Sequence, residues 1–287
     1  MFEKLKKKWN VNSLNLLLVI ITFALGGSLC GYAGRKILLL TNLEEGITWV
    51  IVYILLVTLL WPICVLLISI PFGQFTFFKS YVLKIGRKIT GHKIAPVRIA
   101  IFASGAGSNA GQIVNYFANS TKIKVSLIVC NKAGAGVITI AENANIPALL
   151  ISKESFFLHD HYKTVLETHQ INFIVLAGFL WKIPDALISM YPKKIINIHP
   201  ALLPKYGGKG LYGHYVHDAV IAAGEKESGI TIHYVDGIYD HGEIIFQAKC
   251  IVEENDTADT LAQKIQVLEH THYPKWVEAT IQKQNRS

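Results

Sequence analysis

The sequence contains few cysteines, and those few are scattered. Cys30, Cys64, Cys130 and Cys250 are far apart and lie in or beside apolar runs. This spacing fits neither a disulfide framework nor a paired-cysteine metal motif. The 11 histidines also form no HExxH or comparable ligand pattern. We therefore predict reduced, buried thiols and no metal site.

Charge is also scarce, at 17% of residues, and the larger part of the chain has no surplus of either sign. The formal net charge is +8, yet residues 97–287 carry 17 Lys or Arg against 17 Asp or Glu. The surplus lies wholly in residues 1–96, where 11 basic residues face 3 acidic ones. A neutral domain offers no basic surface to phosphate backbones, so no nucleic-acid partner is expected.

Two long stretches, residues 14–33 and 47–72, lack charged residues altogether. Twenty helical residues span roughly 30 Å of hydrocarbon. We predict a two-helix transmembrane hairpin within residues 1–74, with spans of about 13–34 and 47–72. Because neither span contains an ionisable residue, a transport or proton-relay function has no candidate residue.

Basic residues flank the predicted hairpin unequally. Before the first span or after the second lie Lys4, Lys6, Lys7, Lys8, Lys79, Lys84, Arg87, Lys88 and Lys93. The loop between the spans holds Arg35 and Lys36, whose charge is offset by Glu44 and Glu45. The positive-inside rule then places both ends of the hairpin, and the domain that follows, on the cytoplasmic side of the inner (cytoplasmic) membrane. A cleaved signal peptide would also explain the basic start, but it would leave the second span unexplained.

Small residues within and after the hairpin suggest how it packs and where it ends. Gly27 and Gly31 form a GxxxG spacing, which either packs the two helices closely or joins two chains in a homodimer. Residues 75–96 mix aromatic and basic residues, and Gly86, Gly91 and Pro96 interrupt any long helix. We interpret 75–96 as a juxtamembrane linker.

From residue 97 onward, apolar runs of strand length alternate with helical segments. The predicted strands cover 97–103, 123–130, 148–151, 173–176 and 195–199, and the predicted helices cover 109–119, 136–143, 161–169 and 184–190. This order predicts an α/β fold with a doubly wound, mostly parallel sheet in a domain spanning 97–287. Two later runs, 231–235 and 244–248, predict a hairpin at the sheet edge, and a helix over 257–281 closes the domain.

Asn197 and His199 lie two residues apart in an apolar run that stops at Pro200. Residues with this spacing point to the same face of a strand. Pro200 cannot continue a central ladder, so both side chains fall at the carboxyl edge of the sheet, where open α/β sheets bind ligands. The local pattern alone allows a structural strand cap as well as a catalytic pair.

Residues 104–109 read SGAGSN at the first junction between strand and helix. Glycines there turn backbone N–H groups toward an anion at a helix N-terminus, and Ser108 and Asn109 add donors, which suits one phosphate group. A capped glycine turn without a ligand is the alternative. The stretch is neither GxGxxG nor a P-loop, because it lacks the third glycine and the lysine.

A second polar group follows further along the chain, where a strand carries His233 and the next loop carries Asp236 and Asp240. Asp240 precedes Gly242 in the tight part of the turn, from which its side chain can fold back over a site. We expect Asp236 to serve the turn itself.

Five motifs follow one another between residues 104 and 270: SGAGSN, LAGFLWKIP, NIHPALLPKYGG, GITIHYVDGIYDHGEII and QVLEH. In this order they resemble the phosphoribosylglycinamide formyltransferase family, over about residues 97–282. The resemblance implies formyl transfer from 10-formyltetrahydrofolate, as co-substrate, to glycinamide ribonucleotide in purine synthesis. It implies catalytic roles for Asn197, His199 and Asp240. It also implies amine-substrate binding by Gly107, Ser108, Asn109, Gln266 and Glu269, and a folate pocket lined by Leu180, Trp181, Ile183, Ile238 and Tyr239.

The chemistry of that reaction requires side chains of these types. Attack of an amine on the formyl carbon creates an oxyanion and a proton that must move. Asn197 can donate to the oxyanion, and His199 can stabilise the charge or move the proton. Asp240 can orient the imidazole or relay the proton through water.

Two segments depart from the family pattern. Leu180 to Ile183 stand where many members read Met-Arg-Ile, and 209–213 looks like a longer loop. Three alternatives stay open: a formyltetrahydrofolate deformylase, another formyltransferase of the same fold, and a membrane-tethered binding module without catalysis.

Overall fold

Two compact units make up the chain, residues 1–93 and 94–287. The computed structural model describes residues 2–9, 11–41, 43–44, 46–90, 95–158 and 161–285. The boundary lies close to the predicted start of the α/β domain at residue 97.

Within its described residues, the N-terminal unit contains four helices: α1 (Phe2–Trp9), α2 (Ser13–Leu38), α3 (Ile47–Ser69) and α4 (Phe75–Thr90). Helices α2 and α3 are long and apolar enough to cross a membrane, with mean hydropathies of 2.1 and 2.9. Helix α2 runs past the predicted end at 34 because Arg35 and Lys36 fall in its last turn, where cations favour the helix terminus. Helix α3 ends at Ser69 rather than 72, ahead of a turn that contains Gly73 at φ +65°.

Close packing of α2 on α3 uses glycines in and beside the predicted GxxxG pair. A Cβ on Gly26 would lie 2.8 Å from Val65 Cγ2, and a Cβ on Gly34 would lie 2.9 Å from Val57 Cγ2. Of the predicted pair, Gly27 has no described heavy atom within 4 Å of a built Cβ, whereas a Cβ on Gly31 would lie 3.3 Å from Tyr53 Oη. The contact therefore runs along Gly26, Gly31 and Gly34, and the homodimer stays a prediction.

Helix α4 occupies most of the segment that the sequence analysis assigned to a linker. Apolar residues recur along one side of it, and Phe78 is fully buried against Val19 and Val65. The Phe78 ring lies 4.7 Å from that of Phe23, centroid to centroid. Burial of this face outweighs the low helix propensity of Gly86, so the helix continues through a residue that was expected to interrupt it.

The C-terminal unit alternates strands and helices in the order β1 (Val97–Ala103), α5 (Ser108–Phe117), β2 (Ile123–Cys130), α6 (Gly136–Asn143), β3 (Ala148–Leu150), α7 (Lys153–Phe157), α8 (His161–Thr168), β4 (Phe173–Leu176), α9 (Asp185–Met190), β5 (Ile195–His199), α10 (His214–Ala222), β6 (Glu227–Tyr234), β7 (Ile244–Ile251) and α11 (Ala258–Gln284). The predicted strands and helices are all present, with ends shifted by a few residues. The short helices α7 and α10 are additions.

One seven-stranded sheet has the order β3-β2-β1-β4-β5-β6-β7. The first five strands pair in parallel, and β6 and β7 add an antiparallel hairpin at one edge, as predicted. Apolar side chains fill both faces, because the central strands of a doubly wound sheet are covered on both sides. The fold is therefore an α/β, mostly parallel doubly wound sheet.

The order of strands also sets where a ligand can bind. β1 lies between β2 and β4, so the crossovers leave it in opposite directions and the sheet has its switch point beside β1 and β4. The carboxyl ends of β1, β4 and β5 meet at this edge, and they carry the SGAGSN loop, Gly178 and His199.

Candidate active site

A cavity of about 590 Å³ opens at the carboxyl edge of the sheet. Its volume is in the range of small-molecule sites. The lining includes all predicted site residues except Gly107 and Ser108: Asn109, Leu180, Trp181, Ile183, Asn197, His199, Ile238, Tyr239, Asp240, Gln266 and Glu269. The sequence motifs, separated by up to 160 residues, therefore converge on one cavity.

Asn197, His199 and Asp240 form a compact cluster on one wall of this cavity. His199 Nδ1 lies 3.5 Å from Asp240 Oδ2, and Asn197 Nδ2 donates to Asp240 Oδ1 at 3.5 Å. Asn197 and His199 project from the same face of β5, and Asp240 reaches them from the loop between β6 and β7. The cluster thus joins a strand end and a loop that lie 41 residues apart in sequence.

Backbone groups of the loop after β5 hold the imidazole of His199. Its Nε2 lies 2.8 Å from the carbonyl oxygen of Tyr206, so Nε2 carries a proton and donates a hydrogen bond to that oxygen. The side chain is 3% exposed. Burial lowers the pKa of His199, and this outweighs the opposing effects of Asp240 and the Tyr206 carbonyl. His199 is therefore a neutral base at neutral pH, with Nδ1 as its free lone pair facing Asp240.

Asp240 stands in a left-handed backbone conformation, at φ +52°, which turns its side chain back over the cavity. Its Oδ2 accepts a hydrogen bond from the Gly208 amide at 3.0 Å. Burial raises the pKa of the Asp240 carboxyl, but His233, His199 and the Gly208 amide together leave it below its ordinary value. Asp240 is therefore an anion beside a neutral His199.

His233 is a fourth member of the cluster. The antiparallel register pairs it with Asn197, and its Nε2 lies 3.2 Å from Asn197 Nδ2 and 3.6 Å from Asp240 Oδ1. Its Nδ1 lies 2.8 Å from the Tyr234 carbonyl oxygen, which assigns the Nδ1 proton. The sequence analysis placed His233 on a strand but gave it no role. Apolar-polar alternation in both strands shows that His233 shares a face with Thr231, but only the register between β5 and β6 places it opposite Asn197.

The SGAGSN loop, which precedes α5, packs closely on α6. Gly107 has φ +80°, and a Cβ there would lie 2.8 Å from Val137 Cβ on α6. The same glycine precedes α5, so the first N–H groups of that helix point out of the loop. Only a glycine fits this backbone, and the loop has the form of an anion cradle at a helix N-terminus.

Side chains of α11 complete the polar end of the cavity. Asn109 Nδ2 donates to Glu269 Oε2 at 2.9 Å, and Gln266 Nε2 donates to Ser108 Oγ at 3.4 Å. Burial raises the pKa of the Glu269 carboxyl to about 7, although the Asn109 hydrogen bond acts in the other direction. His270, which sequence reasoning did not select, places Nε2 3.2 Å from Ser108 Oγ.

Apolar side chains from the loops after β4 and β6 also line the cavity. Leu180 is 47% exposed and Ile238 is 62% exposed, so both present free apolar surface at the mouth. Trp181 packs on Phe156 and Phe157, and Ile183 is buried. The cavity is therefore amphipathic, with a polar end at α5 and α11 and an apolar mouth.

Asp236 lies near the catalytic cluster but serves the turn. Asp236 Oδ1 accepts from the Ile238 amide at 2.9 Å, which is the turn role expected of it. Among the described residues, no group of three or more His, Cys, Asp or Glu side chains is arranged to hold a metal ion.

Comparison with known proteins matches the C-terminal unit to one family. The pattern of the family described as "Formyl transferase" matches residues 97–277. A phosphoribosylglycinamide formyltransferase of Bacillus subtilis is 37% identical over 194 residues, which cover 66% of this chain and 97% of that protein. The chloroplastic enzyme of Arabidopsis thaliana is 39% identical over 196 residues, covering 66% of this chain and 67% of that protein.

Solved structures agree with the sequence comparisons. The phosphoribosylglycinamide formyltransferase of Bacillus halodurans has a TM-score of 0.59 at 35% identity, covering 65% of this chain and 96% of that one. A formyltetrahydrofolate deformylase of Pseudomonas syringae also has a TM-score of 0.59, covering 66% of this chain and 62% of that one, but at 20% identity it shares only the fold. The match over 97–277, together with these relatives, establishes that the chain belongs to the formyl transferase family.

Proposed function

We propose that the C-terminal unit transfers a formyl group from 10-formyltetrahydrofolate to the amine of glycinamide ribonucleotide, a step of purine synthesis. The single observation that carries this proposal is the cavity itself, which Asn197, His199 and Asp240 line together with Asn109 of the phosphate-type cradle and with exposed apolar side chains such as Leu180 and Ile238. The names of the relatives agree with it, since the proteins of Arabidopsis thaliana, Bacillus subtilis and Bacillus halodurans described above are phosphoribosylglycinamide formyltransferases.

Each end of the cavity suits one substrate. The phosphate of the ribonucleotide would bind the N–H groups of Gly107, Ser108 and Asn109, with Gln266 and Glu269 contacting the rest of the molecule. The folate would lie in the mouth against Leu180, Trp181, Ile183, Ile238 and Tyr239. The amine and the formyl carbon would then meet at the cluster in the middle, which supplies the orientation that a two-substrate reaction needs.

Proton movement is the task proposed for His199 and Asp240. The amine attacks the formyl carbon, a new C–N bond forms, and the attacking nitrogen must lose a proton before the bond to the folate nitrogen breaks. The free Nδ1 lone pair of His199 takes up that proton, and the anionic Asp240 stabilises the charged ring. The proton then goes to the leaving folate nitrogen, so the enzyme returns to its starting state.

Stabilisation of the oxyanion is the task proposed for Asn197. His233 Nε2, 3.2 Å away, accepts one N–H of its amide Nδ2 and orients the group, and the second N–H, which lies 3.5 Å from Asp240 Oδ1, is the one that would turn to the oxyanion. A fixed donor of this kind typically contributes about 100- to 1000-fold to the rate of acyl transfer.

The test is a turnover assay on the purified full-length chain with 10-formyltetrahydrofolate and glycinamide ribonucleotide. We expect formylation of the ribonucleotide that depends on both substrates. Formate release without the amine would instead identify a deformylase, and binding of folate without any turnover would identify a non-catalytic module.

We propose in addition that α2 and α3 anchor the enzyme in the inner membrane with both ends of the hairpin in the cytoplasm. Along these helices large apolar side chains point outward, and Ile47, Leu59 and Leu14 are 83%, 73% and 64% exposed. Such a surface is stable in lipid and costly in water. The exposed lysines Lys79 and Lys84 lie on α4, which leaves the hairpin on the side where the basic residues concentrate.

Membrane fractionation tests the anchor. We expect the full-length protein in the membrane fraction after carbonate washing, and a reporter fused to its C-terminus to be active on the cytoplasmic side. A protein found wholly in the soluble fraction would overturn the proposal.

A further inference from the structure

His217 is a buried histidine in the cavity wall with no function in the mechanism above. It lies on α10, three residues after His214, and its side chain is 6% exposed. It lines the same cavity as Asn197 and His199, and Ile265 and Gln266 of α11 also line it. The position is therefore inside the site but outside the catalytic cluster.

One ring nitrogen of His217 lacks a partner within the described part of the chain. Nδ1 is fully buried with no hydrogen-bond partner. His214 shows the contrast, because its two nitrogens bind Asp218 at 2.9 Å and Asp259 at 3.0 Å. A buried polar group without a partner costs about 1–3 kcal/mol, so its presence in a cavity wall points to a ligand.

The charge state of His217 limits what it can bind. Burial lowers its pKa, His214 and His199 lower it further, and Asp218 acts in the opposite direction. The imidazole is therefore neutral at physiological pH, with one donor and one acceptor. A neutral ring of this kind suits a hydroxyl or amide group better than a phosphate.

Position identifies which part of a substrate would meet this ring. His199 is close enough to His217 to lower its pKa, and Gln266, which is hydrogen-bonded to Ser108 of the cradle, lines the same cavity. His217 thus lines the cavity together with residues of the catalytic cluster and of the polar end. A substrate bound with its phosphate at Ser108 and its amine at Asn197 would place its uncharged middle here.

We propose that His217 binds the neutral, polar middle of the amine substrate, its ribose hydroxyls or its amide, and so determines the affinity for that substrate. This inference rests on the proposed function, since it needs an amine substrate that carries a phosphate. His217 is a specificity-determining residue, distinct from the groups that move the proton or stabilise the oxyanion.

The experiment compares full-length wild type with His217→Phe, which keeps a planar ring and removes both nitrogens, and with His217→Gln, which restores a donor and an acceptor. We expect His217→Phe to raise the KM for glycinamide ribonucleotide about 10-fold, the effect of one lost hydrogen bond. We expect kcat and the KM for 10-formyltetrahydrofolate to stay within about threefold. His217→Gln should recover most of the loss.

A matched control is His272→Phe, since His272 is a partly buried histidine of α11 that does not line the cavity. It should leave both KM values unchanged. If His217→Phe raises both KM values by the same factor and also lowers the melting temperature, the residue has a structural role and the inference is overturned. An unchanged KM for the amine substrate would overturn it too.

The proposed function and this inference fail in different ways. Wild-type protein that does not formylate glycinamide ribonucleotide would overturn both. Wild-type protein that is active, with a His217→Phe variant of unchanged KM, would overturn only the role of His217.

Discussion

The two units of this chain use apolar residues in opposite ways. In α2 and α3 the large apolar side chains face outward, and only 28% and 11% of the most apolar 18-residue stretch of each helix is buried. In β1 the residues from Ile99 to Ala103 are 0% exposed. The same residue types therefore build a surface in one unit and a core in the other.

This difference shows where the function can be located. A helix with an apolar surface and no ionisable residue in its span can hold a protein in lipid but offers no chemistry. A sheet with an apolar core must place its polar residues at the edges, and in this domain they meet at one cavity. Catalysis should belong to the C-terminal unit alone, and attachment to the N-terminal unit alone.

The largest expected effect is on catalysis. His199→Ala should lower kcat by about 1,000- to 10,000-fold, because it removes the base and its interaction with Asp240. Turnover assays measure the loss. Since His199 is buried, the more conservative His199→Asn and a melting curve provide the control for folding. Membrane association should not change, and activity close to that of wild type would refute the assignment of the base.

The next largest effect is on membrane insertion, which should depend on the N-terminal unit and not on the C-terminal unit. Leu59, near the centre of α3, is 73% exposed, and Leu59→Arg should cost about 3 kcal/mol of insertion free energy if α3 lies in lipid. Val267 on α11 is 65% exposed, and Val267→Arg should change stability by less than about 0.5 kcal/mol. An insertion reporter measures the first and a melting curve the second. Equal, small effects at both positions would contradict the membrane assignment.

A smaller effect tests how closely the cradle is built. Gly107→Ala should destabilise the domain by about 1–3 kcal/mol, because φ is +80° and the new Cβ would overlap Val137. Gly105→Ala, two residues earlier, meets no heavy atom within 4 Å and should be close to neutral. Thermal unfolding of the two variants measures the difference. Equal stabilities would show that the loop relaxes.

The smallest effect concerns pH. Because burial raises the pKa of Glu269 to about 7, its protonated form is favoured in the fold, and the stability it contributes is complete below about 4.5 and lost as pH rises through 7. The ionised form is the better acceptor for substrate hydroxyls, so the KM for the amine substrate should fall a few-fold between pH 6 and 8. Glu269→Gln should flatten that profile, and an unchanged profile would exclude Glu269 as its cause.

The sequence predicts the fold well because the strands are apolar, short and separated by clear turns. It also brings Asn197 and His199 to a strand end, because Pro200 stops the strand. It does not predict the role of His233, which depends on the register between β5 and β6. Nor does it predict the hydrogen bonds that position His199 and Asp240, since the carbonyl of Tyr206 and the amide of Gly208 are backbone groups without a side-chain signature.

Helix α4 differs for a related reason. Local signals at Gly86 and Gly91 favoured a linker, whereas the buried face around Phe78 decides the structure. Tertiary packing of that kind can be judged from sequence only when the partner surface is known.

The reliance on backbone groups around His199 has a consequence for how such an enzyme can evolve. Main-chain carbonyl and amide groups are present whatever the side chain, so the positions of the imidazole and the carboxylate depend on the path of the loop after β5, which Gly207 and Gly208 fix, rather than on the side chain of Tyr206. Residues 209–213 follow these backbone groups and line the cavity, so changes there would alter the cavity wall rather than the contacts of His199 and Asp240. Diversification of substrate preference could proceed in this loop without loss of the reaction.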